Sequence, residues 1–172
     1  MDFLELARNR YSVRSFSDAP IARHELELIL RAGQLAPTAC NRQPQRVLVI
    51  DGAAALAKLR RCTECHFNAP AALLVCCDTN ACWTRRYDGK SSGDIDASIV
   101  ATHMMLEAAQ LGIGTTWVMY FDPEAIRREF ALSVGVEPVA LLVMGYPAAD
   151  AQPSPMHAQT LPLDRLVAND SF

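Results

Sequence analysis

Residues 94–111 read "DIDASIVATHMMLEAAQL", and this stretch decides the fold. It has helical length, ends at Gly112, and is apolar nearly all round. A helix without a polar face cannot sit on a surface, so it must be covered on most sides. Such a helix belongs at the centre of a layered domain. Downstream, "TTWVMY" (115–120) reads as a strand, and Asp122-Pro123 opens a helix over 123–132. "VALLVMGYP" (139–147) reads as a further strand closed by Gly145 and Pro147.

Upstream, residues 2–10 form a short predicted helix with Phe3, Leu4, Leu6 and Ala7 on one side. Residues 22–36 place Leu26, Ile29, Leu30, Gly33 and Leu35 near helical spacing, and Pro37 stops that helix. "RVLVI" (46–50) is a short β-branched strand bounded by Asp51-Gly52. A helix over 53–66 and the strand "AALLVCC" (71–77) follow, then a polar surface loop over 78–93. The central strands are apolar throughout, as in a sheet covered on both faces. The expected class is α+β, a three-layer α/β/α sandwich around a central mixed sheet of about four to five strands. Residues 1–150 read as one domain. Residues 151–172, with three of the ten prolines, read as an extended C-terminal arm.

A chain of 172 residues suffices for one domain, or one protomer of a compact oligomer, with a real core. A net charge of −3 provides no basic excess for nucleic acid or an anionic membrane. No run approaches the roughly 20 apolar residues that span a bilayer. The start, "MDFLELARNRYSVRSF", is unlike a signal peptide, which predicts a cytoplasmic protein. In that reducing compartment Cys40, Cys62, Cys65, Cys76, Cys77 and Cys82 are expected as free thiols.

"RCTECH" (61–66) has the spacing of covalent haem attachment, with a zinc site or a redox pair as further readings of Cys62, Cys65 and His66. Haem attachment needs export, and zinc needs four ligands. Cys76 and Cys77 lie in an apolar run where free cysteine acts as a small hydrophobe. A metal- or haem-binding electron carrier is therefore the lesser alternative. The motif reads as an accident of a cysteine-rich sequence at a helix end.

Two clusters carry chemistry. Arg10-Tyr11-Ser12-Val13-Arg14 puts two planar cations and a hydroxyl within five residues, a donor set suited to phosphate. Ala36-Pro37-Thr38-Ala39-Cys40-Asn41-Arg42-Gln43-Pro44 combines a helix stop, small residues and two amides, which suits a planar ligand with alternating donors and acceptors. Each alone is also an ordinary polar turn.

In order, "RYSVRSF" (10–16), "APTACNRQP" (36–44), "LGIGTTW" (111–117) and Gly145-Tyr146-Pro147 resemble the nitroreductase family of FMN-dependent oxidoreductases, over residues 3 to about 150. The resemblance implies that Arg10 and Ser12, with Tyr11 between them, hold the FMN phosphate, and that Arg14 lies near the pyrimidine edge of the ring. Pro37, Thr38, Ala39, Asn41 and Gln43 would reach a flavin bound mainly by the partner subunit of a homodimer, with the arm 151–172 packed on that partner. Trp117, Val118 and Met119 would pass beside the ring, a backbone N–H aimed at N5. The implied activity is ping-pong: hydride from NADH or NADPH, then reduction of a nitroaromatic, quinone or similar small-molecule acceptor. No side chain serves as nucleophile or metal ligand. Flavin reduction, dehalogenation or flavin destruction are alternatives within the same fold.

Several positions depart from the family pattern. Gln45 and Val47 stand where aromatic residues are usual, and Met119 where glycine is common. The tail offers Gln159, Thr160 and Leu161 in place of basic residues, a loss of about 1–3 kcal/mol in phosphate binding. His157 or Arg86 is the expected compensation. His103 is expected as a satisfied core residue and His24 on a helix surface.

Overall fold

Strand β2 (Ala71–Asp78) forms the middle of the molecule, in a computed structural model that describes residues 2–171. Side chains along a strand alternate in direction, and here both directions lead into apolar layers. Leu73, Val75 and Cys77 enter one layer; Ala72, Leu74 and Cys76 enter the other. Beside β2 lie β1 (Gln45–Ile50) and β4 (Val136–Gly145), and β3 (Gly114–Val118) adds to β4, giving the order β1-β2-β4-β3. The strand number is as expected. All three ladders are antiparallel, and the parallel component of the expected mixed sheet is confined to one bridge, between Ser12 and Thr115.

Helices α2 (Arg23–Leu35) and α4 (Gly93–Gln110) cover one face, through Leu26, Ile29, Ala97, Val100 and Met104. Helices α3 (Ala53–Leu59) and α5 (Pro123–Phe130) cover the other, through Leu59, Ala125 and Ile126. The result is the three-layer sandwich. Asp122 caps α5 by accepting the N–H groups of Glu124 and Ala125 at 2.9 and 3.0 Å, and Pro123 occupies its first turn. The short α1 (Phe3–Asn9) buries none of its residues; Phe3 is 65% and Leu4 71% exposed.

Three further expectations are corrected. The helix beginning at Ala53 ends at Leu59, not at His66. The Thr63 hydroxyl donates to the carbonyl of Tyr120 and the Cys62 carbonyl accepts the Asp122 N–H, so the chain is drawn to the β3–α5 connection instead of continuing as helix. Helix α4, expected to be buried on most sides, is covered along one side only: Ile95 is 50% exposed, and Ile99, Thr102, His103 and Leu106 stand partly open on the outer face. His103 lies there, not in the core, with Nδ1 2.9 Å from the Ile99 carbonyl. His24 is on the α2 surface as expected. The arm contains turns and a short 3-10 segment, Leu163–Arg165. Among the described residues no helix is long and apolar enough to cross a membrane.

Candidate cofactor site

The first cluster is positioned by β3. Gly112 (φ 78°) turns the chain after α4, and Gly114 opens the strand. A Cβ on Gly114 would meet Val13 Cγ2 at 2.5 Å, so only glycine allows residues 12–14 to lie against this strand. Val13 N–H then donates to the Thr115 carbonyl at 3.0 Å, and the Thr116 hydroxyl donates back to the Val13 carbonyl. Val13 is buried, which turns its neighbours outward. Arg10, Tyr11 and Ser12 are half-buried and Arg14 is exposed. Arg10 and Tyr11 line a cavity of about 150 Å³ with Leu6, Ala109 and Gly112.

Among the described residues, neither Arg10 nor Arg14 has a carboxylate within ion-pair distance. Arg14 Nη1 donates to the Ser12 carbonyl at 3.2 Å, and its guanidinium carbon lies 6.0 Å from the Phe67 ring centroid, at the outer range of a cation–π contact. The Tyr11 ring meets His157 edge-on, centroids 6.1 Å apart, and His157 Nε2 lies 3.0 Å from the Arg8 carbonyl. Arg10, free of carboxylate partners, and the Ser12 hydroxyl two residues on are donors suited to an oxyanion, with Arg14 exposed further along the same segment.

Trp117 is half-buried and Val118 buried at the end of β3. Met119 is 70% exposed, so its side chain points away from the protein body. The loop 60–68 borders this end of the strand through the Thr63–Tyr120 bond, and its Phe67 lies beside Arg14. "RCTECH" thus lies beside the end of this strand, with Thr63 tied to Tyr120. The Cys62 thiol is buried and donates to the Lys58 carbonyl at 3.4 Å, and His66 Nδ1 accepts the Asn68 N–H at 3.0 Å.

The second cluster stands elsewhere. Residues 39–41 form one 3-10 turn in which Cys40 and Asn41 take φ of 50° and 52°, and after Arg42 at −70° Gln43 returns to 50°, three left-handed residues without glycine. Asp96 of α4 holds this loop. Its carboxylate is 2% exposed and accepts the Ala39 N–H at 2.8 Å and the Ser92 hydroxyl at 2.7 Å. Ser92 Oγ in turn accepts the Trp83 N–H at 3.2 Å. The Gln43 N–H donates to Thr38 Oγ1 at 3.0 Å. Pro37, Asn41 and Gln43 are exposed, and Thr38 and Ala39 partly so. Sequence reasoning missed Asp96 and Ser92. The available signal was a carboxylate set into an apolar helix.

The two clusters therefore flank opposite ends of α4. The first faces Ala109 and Gly112, and the second is tied to Asp96. At 1.5 Å per residue, Asp96 and Ala109 are about 20 Å apart along the helix. One chain does not close both clusters around one small molecule.

The family model for "Nitroreductase family" matches residues 7–74 and 62–146. The chain belongs to the nitroreductase family. A nitroreductase family protein from Clostridium difficile 630, known from its crystal structure, is 42% identical, with both chains covered completely and a TM-score of 0.94. A protein of Methanothermobacter thermautotrophicus, named as a candidate NADH dehydrogenase/NAD(P)H nitroreductase, is 29% identical over 163 residues, 86% of this chain and 78% of its own. A Bacillus subtilis protein named FMN reductase [NAD(P)H] is 27% identical over 155 residues, 80% of this chain and 62% of its own. Against that family frame, Arg10–Arg14 and Ala36–Pro44 fall within the matched residues, and so does the β3 end.

Proposed function

We propose that this nitroreductase-family chain is an FMN-dependent oxidoreductase that takes hydride from NADH or NADPH and reduces a small acceptor such as a nitroaromatic or a quinone. The observation that carries this reading is the pair of guanidinium groups, Arg10 and Arg14, free of carboxylate partners among the described residues and held on the β3 edge beside Ser12. That donor set fits a flavin phosphate and an electron-rich ring edge. The names of relatives, FMN reductase [NAD(P)H] among them, point to the same cofactor and donor.

When bound, FMN supplies the hydride-accepting and hydride-donating ring, which makes turnover ping-pong. The protein's part is to bind and to tune. Arg10 and Ser12, with Tyr11 between them, grip the phosphate. Arg14 favours negative charge at the pyrimidine edge, and Trp117, Val118 and Met119 line the ring. His157, brought to Tyr11 by the arm, takes over from the basic residues missing from the tail. Arg86 is exposed on the loop that leads into the other end of α4, the end that the second copy would bring to the same pocket.

Pro37, Thr38, Ala39, Asn41 and Gln43 complete the site from a second copy. The protein acts as a cytoplasmic homodimer in which the open face of α4 is covered by its counterpart and the arm packs on the partner. The opposed clusters on α4 and the half-exposed Ile95 support this assembly.

An absorption spectrum of freshly purified protein, followed by NADH without oxygen, tests the reading. Flavin bands that bleach are the expected result. A sample that stays colourless after FMN is added overturns it. Arg10→Ala is expected to weaken FMN binding about tenfold to a hundredfold, the scale of a charged hydrogen bond, with little loss of thermal stability. Unchanged flavin occupancy would remove Arg10 from the site. The Bacillus subtilis name favours free FMN as one acceptor to assay beside a nitroaromatic and a quinone.

A further inference from the structure

Cys77, next to the last residue of β2, faces the α4 side of the sheet and is 3% exposed. Cys82 follows a turn closed by the Ala81 N–H on the Asp78 carbonyl at 3.0 Å; it is half-buried, with its thiol 3.2 Å from that same carbonyl. Both sulfurs converge on the first residue of α4. A Cβ built on Gly93 would stand 2.9 Å from Cys77 Sγ and 2.9 Å from Cys82 Sγ. Any side chain at 93 would wedge between or displace the thiols, and glycine leaves them facing the same space. Cys76, one residue earlier, points into the opposite layer. Cys62 and Cys65 pack on that opposite layer too, and Cys40 is on the exposed loop. Among the described residues no third metal ligand joins the pair, so its chemistry is that of a dithiol.

We propose that Cys77 and Cys82 are a redox-active pair that closes to an intramolecular disulfide on reaction with a peroxide.

The two thiols differ in access. Burial pushes the Cys77 thiol up to about 12, with the neighbouring Cys82 and then Asp94 adding to that push. Cys77 is therefore a poor first nucleophile, and the half-buried Cys82 meets the oxidant. Cys82 loses its proton to solvent, and its sulfur attacks one peroxide oxygen. The O–O bond breaks, a sulfenic acid forms, and the departing hydroxide takes a proton to become water. The Cys77 sulfur then attacks the Cys82 sulfur, the S–O bond breaks, and the Cys77 proton leaves with the hydroxide as a second water. Two thiols lose two electrons and two protons, and one peroxide becomes two waters. A dithiol reductant reverses the change.

The test uses the full chain, treated with hydrogen peroxide, quenched, alkylated in denaturant and digested on the N-terminal side of Asp78. That cut separates Cys77 from Cys82; the fragment 51–77 also carries Cys62, Cys65 and Cys76, so tandem mass spectrometry of the joined fragments and the Cys76→Ser variant locate the bridge. The expected result is the loss of two of the six free thiols, with the fragments ending at Cys77 and containing Cys82 joined until dithiothreitol is added. Cys82→Ser abolishes the joined species, and Cys76→Ser leaves it intact. The proposal is overturned if all six thiols remain, if the bridge instead joins Cys62 to Cys65 or Cys76 to Cys82, or if Cys82 proceeds to sulfinic acid without a bridge. None of these readouts involves flavin, so the outcome stands apart from the proposed function.

Discussion

Asp96 uses both oxygens of one carboxylate on groups that would otherwise be orphaned: the Ala39 N–H and the Ser92 hydroxyl. Removing it leaves a part-buried N–H and the buried Ser92 hydroxyl without this acceptor, the costlier side of hydrogen-bond energetics. Asp96→Ala is expected to lower stability by about 1–3 kcal/mol and to speed amide exchange at Ala39. Asp96→Asn keeps an acceptor for Ala39 and should lose less; urea unfolding and hydrogen exchange on the unliganded protein measure both. Equal losses in the two variants would show that charge, not the acceptor, holds the loop. At this scale the sequence is informative about candidates and silent about partners. Arg10, Ser12 and Arg14 declare themselves by type and spacing. Asp96 is visible as an acidic residue among apolar ones, but its partner Ala39 lies 57 positions away, and no local pattern encodes that bond.

At the scale of elements, β2 is informative because its neighbours are so uniformly apolar. The burial that makes it central also holds its thiols protonated. Burial first, and then Glu137, pushes Cys76 up to about 11, while Cys77 reaches about 12, against an ordinary value of 9.0. Both folded-state values are raised, so the unfolded chain releases its thiol protons first as pH climbs. The stabilising effect is whole below pH 9 and is lost progressively toward 11 and 12. The midpoint of thermal unfolding is expected to fall as pH rises from 9 toward 11, and Cys76→Ala should flatten that slope. An unchanged slope would mean that other groups set the alkaline limit.

The same uniformity explains what could be read beforehand. Strand existence followed from apolar β-branched runs, and α2 and α5 from their caps and stops. The order β1-β2-β4-β3 could not follow, since a strand apolar on both faces carries no mark of which neighbour it takes. The early end of α3 was equally hidden, because Thr63 and Cys62 are drawn off by residues of the β3–α5 connection.

For the whole molecule, the open face of α4 is the feature that asks for a second copy. Ile95 is half-exposed there, and Phe3 and Leu4 of α1 are more so. An arginine at such a position would be stranded against an apolar partner. If the proposed dimer forms through this face, Ile95→Arg is expected to convert it to monomer in sedimentation and to reduce retention of the proposed flavin with it, while the isolated chain stays folded by circular dichroism. A dimer that survives would place the interface on another face.

Helix α4 also acts as a spacer. It sets the Arg10 cluster and the Asp96-held loop about 20 Å apart along its axis, so in the proposed dimer each complete pocket draws on two chains. In genetic terms, an allele that damages only Arg10 and an allele that damages only Asp96 fail in different halves of the pocket. Paired in one dimer, the two lesions fall on the same pocket and leave the other intact. Two inactive alleles expressed together then restore part of what neither provides alone.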